Sequence, residues 1–158
     1  MSLQIGKAFI SALRSNTELL QVLGGKGKDL EGARIFSVAR PQEDESQDKI
    51  PYLIIQPQGL TAQTDKDGYE EGDNDTVSIL IVAAHYTTTA INGKIEIGLV
   101  ELSQMVRDTI AAMLVEEHDG FQIDDYSLTV GPTQMDVKKP CYFHEFTYQT
   151  NTQNVEQS

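Results

Sequence analysis

Residues 76–86, TVSILIVAAHY, are the stretch from which the fold can be inferred. Apolar side chains occupy both alternating sets of positions: Val77, Ile79, Ile81 and Ala83 in one set, and Leu80, Val82 and Ala84 in the other. Because successive side chains of a strand point to opposite faces, this pattern predicts a strand that is covered on both faces. We therefore predict that this segment is the central strand of a sheet.

Four other segments have the composition of strands. Before the central strand lie RIFSV (34–38) and PYLIIQPQ (51–58), and Pro57 indicates that the far end of the second one lies at an edge or leaves the sheet. Near the end of the chain, residues 126–130 and 142–149 alternate apolar or aromatic side chains with polar ones. Such alternation is typical of a sheet with one buried face and one wet face.

Two segments have the periodicity of amphipathic helices. Residues 3–23 form the first, which Gly24 and Gly25 are expected to end. The second extends over about 92–117, with an apolar stripe formed by Ile95, Leu99, Leu102, Val106, Ile110, Met113 and Leu114. The order of elements predicts an α+β fold, in which a mostly antiparallel sheet of about five strands packs against the N-terminal helix and one long central helix. We expect one domain over 1–150 and a disordered polar tail over 151–158.

The composition limits the classes of function. The chain has 158 residues and a formal net charge of -12, which disfavours nucleic-acid binding because such binding neutralises phosphates with Lys and Arg. A single cysteine, Cys141, excludes an internal disulfide framework. No segment has the pattern of a signal peptide or a membrane helix. We expect a cytoplasmic protein with no membrane partner and no sequence-specific nucleic-acid binding.

The densest negative charge lies in TDKDGYEEGDNDT, residues 64–76, between two of the most apolar segments. Its acidic residues are Asp65, Asp67, Glu70, Glu71, Asp73 and Asp75. The segment fails the EF-hand pattern, because the glycine and the final glutamate are missing from their positions. A looser cation site, a solvated hairpin tip or loop, and a charged surface that faces another macromolecule all stay open.

No catalytic motif is found. His85, His118 and His144 lie far apart in the sequence, and we expect each to have a structural role. Cys141 and His144 would be separated by about 10 Å along an extended strand, which is too far for a nucleophile pair. We therefore predict a protein that is not an enzyme, with no catalytic residue, cofactor or metal ion.

The order of elements, with the stretches GARIFSVARPQ and IPYLIIQP after an N-terminal helix, resembles that of the tail terminator (tail completion) and related tail-component proteins of long-tailed bacteriophages and prophages. The resemblance covers most of the chain and implies a structural role in virion assembly. It implies a ring-shaped homo-oligomer, typically a hexamer, that caps the tail tube and joins it to the head. Its partners would be its own copies and other tail and neck proteins, first in the host cytoplasm and then in the virion tail or neck.

The resemblance suggests a role for the acidic segment, since a ring that DNA passes through benefits from a negative lumen. Its carboxylates would then line the channel or face a neighbouring subunit, whereas the rival hypothesis is a solvated hairpin tip. The family has no active-site residues to transfer to this sequence. A small cytoplasmic adaptor module that binds a protein partner is the alternative function, and an enzyme with an unrecognised polar pocket is a further one.

Overall fold

The computed structural model describes residues 2–37, 49–64, 70–118 and 120–154. The helices are α1 (Ser2–Arg14), α2 (Thr17–Val22) and α3 (Leu99–Leu114). The strands are β1 (Ile35–Phe36), β2 (Tyr52–Thr64), β3 (Glu70–Ala83), β4 (Thr89–Ile91), β5 (Lys94–Glu96), β6 (Phe121–Val130), β7 (Gln134–Asp136) and β8 (Cys141–Asn154).

A six-stranded sheet forms the centre of the fold. Its strand order is β1-β2-β3-β8-β6, and β7 also pairs with β8. All pairs are antiparallel except β1 with β2. Strands β4 and β5 form a separate two-stranded ribbon. The predicted α+β class is confirmed, and the main sheet has six strands rather than about five.

Strand β3 is central, as predicted, with β2 on one side and β8 on the other. On one face, Ile79 and Ile81 are fully buried and belong to the core that all three helices share. On the opposite face, Ser78 and Val82 are also buried. The apolar pattern on both faces of the strand thus matches its burial, although the helices pack on only one of them.

The core lies between this face of the sheet and the helices. The ring of Phe9 on α1 meets the ring of Tyr148 on β8 edge-to-face, with 5.3 Å between centroids. Leu102, Val106 and Ile110 of α3 are fully buried in the same cluster. These three belong to the predicted helical stripe, so its 3.6-residue periodicity correctly identified the buried face of α3.

The predicted helix over 3–23 is instead two helices, with Ser15 and Asn16 between them. The Asn16 side chain caps α2, because its Oδ1 accepts a hydrogen bond from the backbone N–H of Leu19 at 3.1 Å. Its Nδ2 donates to Thr109 Oγ1 on α3 at 2.9 Å. A tertiary contact and a local cap together explain the break. Gly24 follows α2 at φ +94°, as expected for a helix end.

The predicted helix over 92–117 begins seven residues later than expected, at Leu99. Asn92 and Gly93 both have positive φ, of 52° and 78°, and connect β4 to β5 in a two-residue turn. An Asn-Gly pair is a strong signal for such a hairpin, and here it overrides the helical periodicity. Ile95, which we placed on the buried stripe, is 80% exposed on the ribbon.

Two strand boundaries also differ from the prediction. Strand β2 continues past Pro57 to Thr64, with a register shift between Pro57 and Gly59. Because β1 pairs only with Leu53 and Ile54 of β2, Pro57 lies on an edge stretch of the described sheet, where proline is tolerated. Strand β8 extends through Asn154, so the predicted tail boundary after 150 falls inside a strand. Pairing with β6 and β3 holds this segment although it lacks apolar periodicity.

Truncation of Ile81 tests the position of β3. Ile81 is fully buried, so Ile81→Ala should lower the free energy of unfolding by about 2–5 kcal/mol. The matched control is Ile95→Ala, which removes the same atoms from an 80% exposed site and should change stability by less than about 0.5 kcal/mol. Urea unfolding of the two variants gives the comparison. Equal losses from both would contradict the central position of β3.

Candidate functional site

The described part of the acidic segment is strand rather than loop. Asp65 and Asp67 lie outside the described residues, whereas Glu70 and Asp73 are part of β3. Strand β3 continues through this segment, with Asp73 opposite Ala62 of β2 and Thr152 of β8. Main-chain pairing on two sides outweighs the low strand propensity of Asp, Asn and Gly. Most of the acidic segment is therefore the far half of a long β2–β3 hairpin.

Asp75 lies in the protein interior, with 2% of its surface exposed. It is opposite Thr150 of β8, which is equally buried. Asp75 is two positions before Val77 and four before Ile79 in the same strand, so its side chain is on the same face as theirs, which the helices cover. This carboxylate is not part of a solvated hairpin tip or a charged surface.

The possibility of a cation site gains no support from the geometry of the described residues. Within them, no three His, Cys, Asp or Glu side chains lie close enough together to hold a metal ion. Glu70 and Glu71 are both part of β3.

Two buried side chains of β8 have hydroxyl groups without a hydrogen-bond partner in the described part of the chain. They belong to Tyr148 and Thr150. Burial raises the pKa of Tyr148 to about 12, and the charge of nearby Arg107 opposes this shift in part. The phenol therefore stays protonated at neutral pH. Its ring packs against Phe9 and Phe146, so we assign Tyr148 a role in the core.

His144 contacts a residue that sequence reasoning missed. Its Nε2 and the Oγ of Ser103 on α3 are 2.6 Å apart, across the interface between helix and sheet. Burial lowers the pKa of His144, so the imidazole is neutral at neutral pH. Ser103 is itself only 7% exposed. The pair joins α3 to β8.

One signal in the sequence could have indicated this bond. Ser103 lies one position after Leu102 and three before Val106, within the buried stripe of α3. A polar side chain in a buried stripe requires a polar partner. The partner lies 41 residues away and cannot be found from spacing. Cys141 does not pair with His144, because three positions along a strand place the two side chains on opposite faces.

The other two histidines also have structural contacts. His118 Nε2 donates to the carbonyl of Met113 at 3.0 Å, and its ring stacks on Phe121 with 4.6 Å between centroids. His85 Nε2 lies 2.6 Å from Glu96 Oε2 and holds the β4–β5 ribbon against the end of β3.

A second bond fixes the base of the ribbon. The N–H of Thr88 donates to Glu101 Oε1 at 2.6 Å, and this bond lowers the pKa of Glu101. Gly98 lies beside this bond, and a Cβ at Gly98 would fall 2.1 Å from the backbone of Thr87. The close approach of the two segments therefore requires glycine.

Two large open grooves occur on the described surface. One, of 780 Å³, lies at the base of the ribbon beside Arg34, Ile95 and Glu101. The other, of 700 Å³, lies between the end of α3 and the start of β6 and is lined by residues 114–118 and 121–126. We call the second one the acidic groove, because it contains four carboxylates: Glu116, Glu117, Asp124 and Asp125.

The helices of the described chain do not have the combination of length and apolar character that crossing a bilayer requires. Several large apolar side chains of the described chain are exposed, among them Tyr86, Ile95, Met135 and Val137.

Acid should destabilise the chain through His144. An unfolded histidine takes up a proton near a pKa of about 6.5, whereas burial lowers the pKa of His144 in the folded chain. Between these two values the unfolded chain binds more protons, so stability falls as the pH falls through this window. We expect His144→Gln to reduce the loss of stability between about pH 7 and pH 5, measured by urea unfolding at a series of pH values.

The control for this experiment is Ser103→Ala. It removes the hydroxyl partner but keeps the buried imidazole, whose desolvation causes the shift. Ser103→Ala should lower stability at every pH and keep the slope of the wild type. A slope that is unchanged in His144→Gln would contradict the assignment of the acid sensitivity to this histidine.

The comparisons with known proteins concern the fold. No protein-family model matches the sequence, and no curated protein matches it. Among solved structures, the fold is similar to that of a chain from the virion of a native gene transfer agent (GTA) particle. The TM-score is 0.56 at 12% sequence identity, and the match covers 94% of each chain. The two chains therefore share a fold over nearly their full described lengths.

Proposed function

We propose that this chain is a structural protein of a phage-like particle and, more narrowly, a ring-forming tail terminator or head–tail joining protein. The observation that carries the proposal is the similarity to a chain of the GTA virion, which covers 94% of each chain. A match over this length relates complete arrangements of helices and strands rather than one shared motif. The resemblance in element order points to the same class of protein.

The surface of the chain supports assembly rather than catalysis. The Ser103 hydroxyl is buried in the interface between α3 and the sheet, where it is hydrogen-bonded to the half-buried His144. Exposed apolar side chains instead lie at the periphery, for example Ile95 and Val137. The proposal therefore assigns the chain no catalytic activity, no cofactor and no metal ion.

The charge of the chain suits a particle that conducts DNA. With a net charge of -12, the surface repels phosphates and lets a polyanion pass without binding it. We propose that the acidic segment faces the channel or a neighbouring copy, with Asp65, Asp67, Glu70, Glu71 and Asp73 as its carboxylates. Asp75 is not included, because it is buried.

The mass of the purified chain in solution tests whether it forms a ring. We expect an oligomer, typically of six copies, with a ring-shaped outline in negative-stain electron microscopy. Sedimentation velocity gives the mass over a range of protein concentrations. A chain that stays monomeric at all of them contradicts the ring and favours the alternative function, a small adaptor that binds a protein partner.

The salt dependence of self-association tests the role of the acidic segment separately. Like charges on neighbouring copies repel, and the Debye length is about 10 Å at 0.1 M salt. If the hairpins face one another, Glu70→Gln/Glu71→Gln/Asp73→Asn should associate more strongly than the wild type at low salt, and the difference should shrink as salt is added. Sedimentation at low and high salt measures both effects.

The matched control removes three charges elsewhere. Glu18→Gln/Asp29→Asn/Glu31→Gln changes the net charge by the same amount at exposed sites near α2 and the connection to β1. If the two triple variants behave alike, only the net charge matters. The hairpin then does not face its own copies.

A further inference from the structure

The acidic groove combines an apolar floor with negative walls. Its floor contains the stacked rings of His118 and Phe121, which lie within 8° of parallel. Val115 and Tyr126, which also line the groove, are 80% and 45% exposed. A surface that leaves such side chains open to water is suited to contact with another apolar group.

The charge of the groove indicates what kind of ligand it can bind. Among the described residues that line it are the four carboxylates named above and no Lys or Arg. All four carboxylates are exposed, and Asp125 also accepts a hydrogen bond from the amide of Asn151. A ligand that fits must carry positive charge beside an apolar side chain. The groove has room for a short segment of chain, at 700 Å³.

This chain itself presents such a segment in the β7–β8 turn, residues 137–140. Val137 is 76% exposed and is followed by Lys138 and Lys139, the only two adjacent basic residues in the sequence. Asp136 Oδ1 accepts the backbone N–H of Lys138 at 2.9 Å, which fixes the turn. The turn therefore places one exposed apolar side chain next to two lysines, on a backbone that the Asp136 hydrogen bond holds in place.

The turn cannot reach the groove of its own chain. It precedes Cys141 at the start of β8, whereas Phe121 at the groove pairs with Asn154 at the end of β8. A strand of 14 residues spans roughly 45 Å. The two complementary surfaces thus lie at opposite ends of one rigid strand, and a contact between them requires two copies.

We propose that the β7–β8 turn of one copy docks in the acidic groove of the next copy, with Val137 on the aromatic floor and Lys138 beside Glu116 and Glu117. The partner is a second copy of this chain, and this contact rests on the proposed ring-forming function. Because the two surfaces differ, a copy that binds one neighbour through its turn and another through its groove assembles head-to-tail. Such contacts generate a closed ring when the rotation between copies closes, and a filament when it does not.

Charge reversal tests the contact from both sides. The turn variant is Lys138→Glu/Lys139→Glu, and the groove variant is Glu116→Lys/Glu117→Lys. Each places like charges against each other, so each should weaken self-association by about tenfold or more. All four side chains are exposed, so both variants are expected to keep the fold, as checked by circular dichroism and thermal unfolding.

An equimolar mixture of the two variants gives the decisive result. In the mixture, the reversed turn meets the reversed groove and the native turn meets the native groove, so alternating copies should associate as strongly as the wild type. The control, Lys26→Glu/Lys28→Glu, makes the same charge change at exposed sites in the connection between α2 and β1 and should leave association unchanged. All samples are compared by sedimentation at one salt concentration, about 0.15 M.

The outcomes separate this contact from the proposed function. A wild-type chain that stays monomeric overturns both the ring and the contact. If the wild type associates and the turn variant behaves like the control, the ring stands and this contact is wrong. If both variants are weakened but their mixture is not restored, the two surfaces act at different interfaces, and the proposed pairing is also wrong.

Discussion

The structure depends on one constraint, which is the position of β3 between β2 and β8 with its apolar face under the helices. Ile79 and Ile81 are fully buried there, and the strand is hydrogen-bonded on both edges. The Phe9–Tyr148 contact joins α1 to the strand beside β3, and the Ser103–His144 bond joins α3 to the same strand. Removing the central strand would leave both helices without a surface on which to pack.

In this arrangement, the exposed groups that could bind a partner lie at the periphery of the fold. All helices cover one face, so the exposed apolar and charged groups lie on the ribbon, the β7–β8 turn and the groove at the end of α3. The interior contains polar side chains, of which Ser103 bonds to His144, whereas the Tyr148 hydroxyl has no hydrogen-bond partner in the described chain. Our proposals therefore concern surfaces that bind other proteins or copies of the chain, and none concerns an enclosed reaction site.

Sequence patterns predicted the elements whose determinants are local and regular. The two-sided apolar run predicted the central strand, and the stripe from Leu99 to Leu114 predicted the buried face of α3. The prediction was wrong where two local signals competed. Asn92-Gly93 formed a hairpin inside a helical pattern, and Asn16 capped a new helix where apolar spacing continued. The sequence left open whether the acidic segment is a loop, whereas pairing with β2 and β8 holds Asp73 and Asp75 in β3.

The sequence by itself determined the α+β class, the central strand and the excess of negative charge, because each follows from the order and periodicity of neighbouring residues. Only the tertiary structure decided that Asp75 is buried while the groove carboxylates are exposed, and that His144 meets Ser103. It also decided that the basic turn and the acidic groove lie at opposite ends of β8. These relations join residues that are distant in the chain, and they are set by the register of the whole sheet, which no short segment of sequence contains.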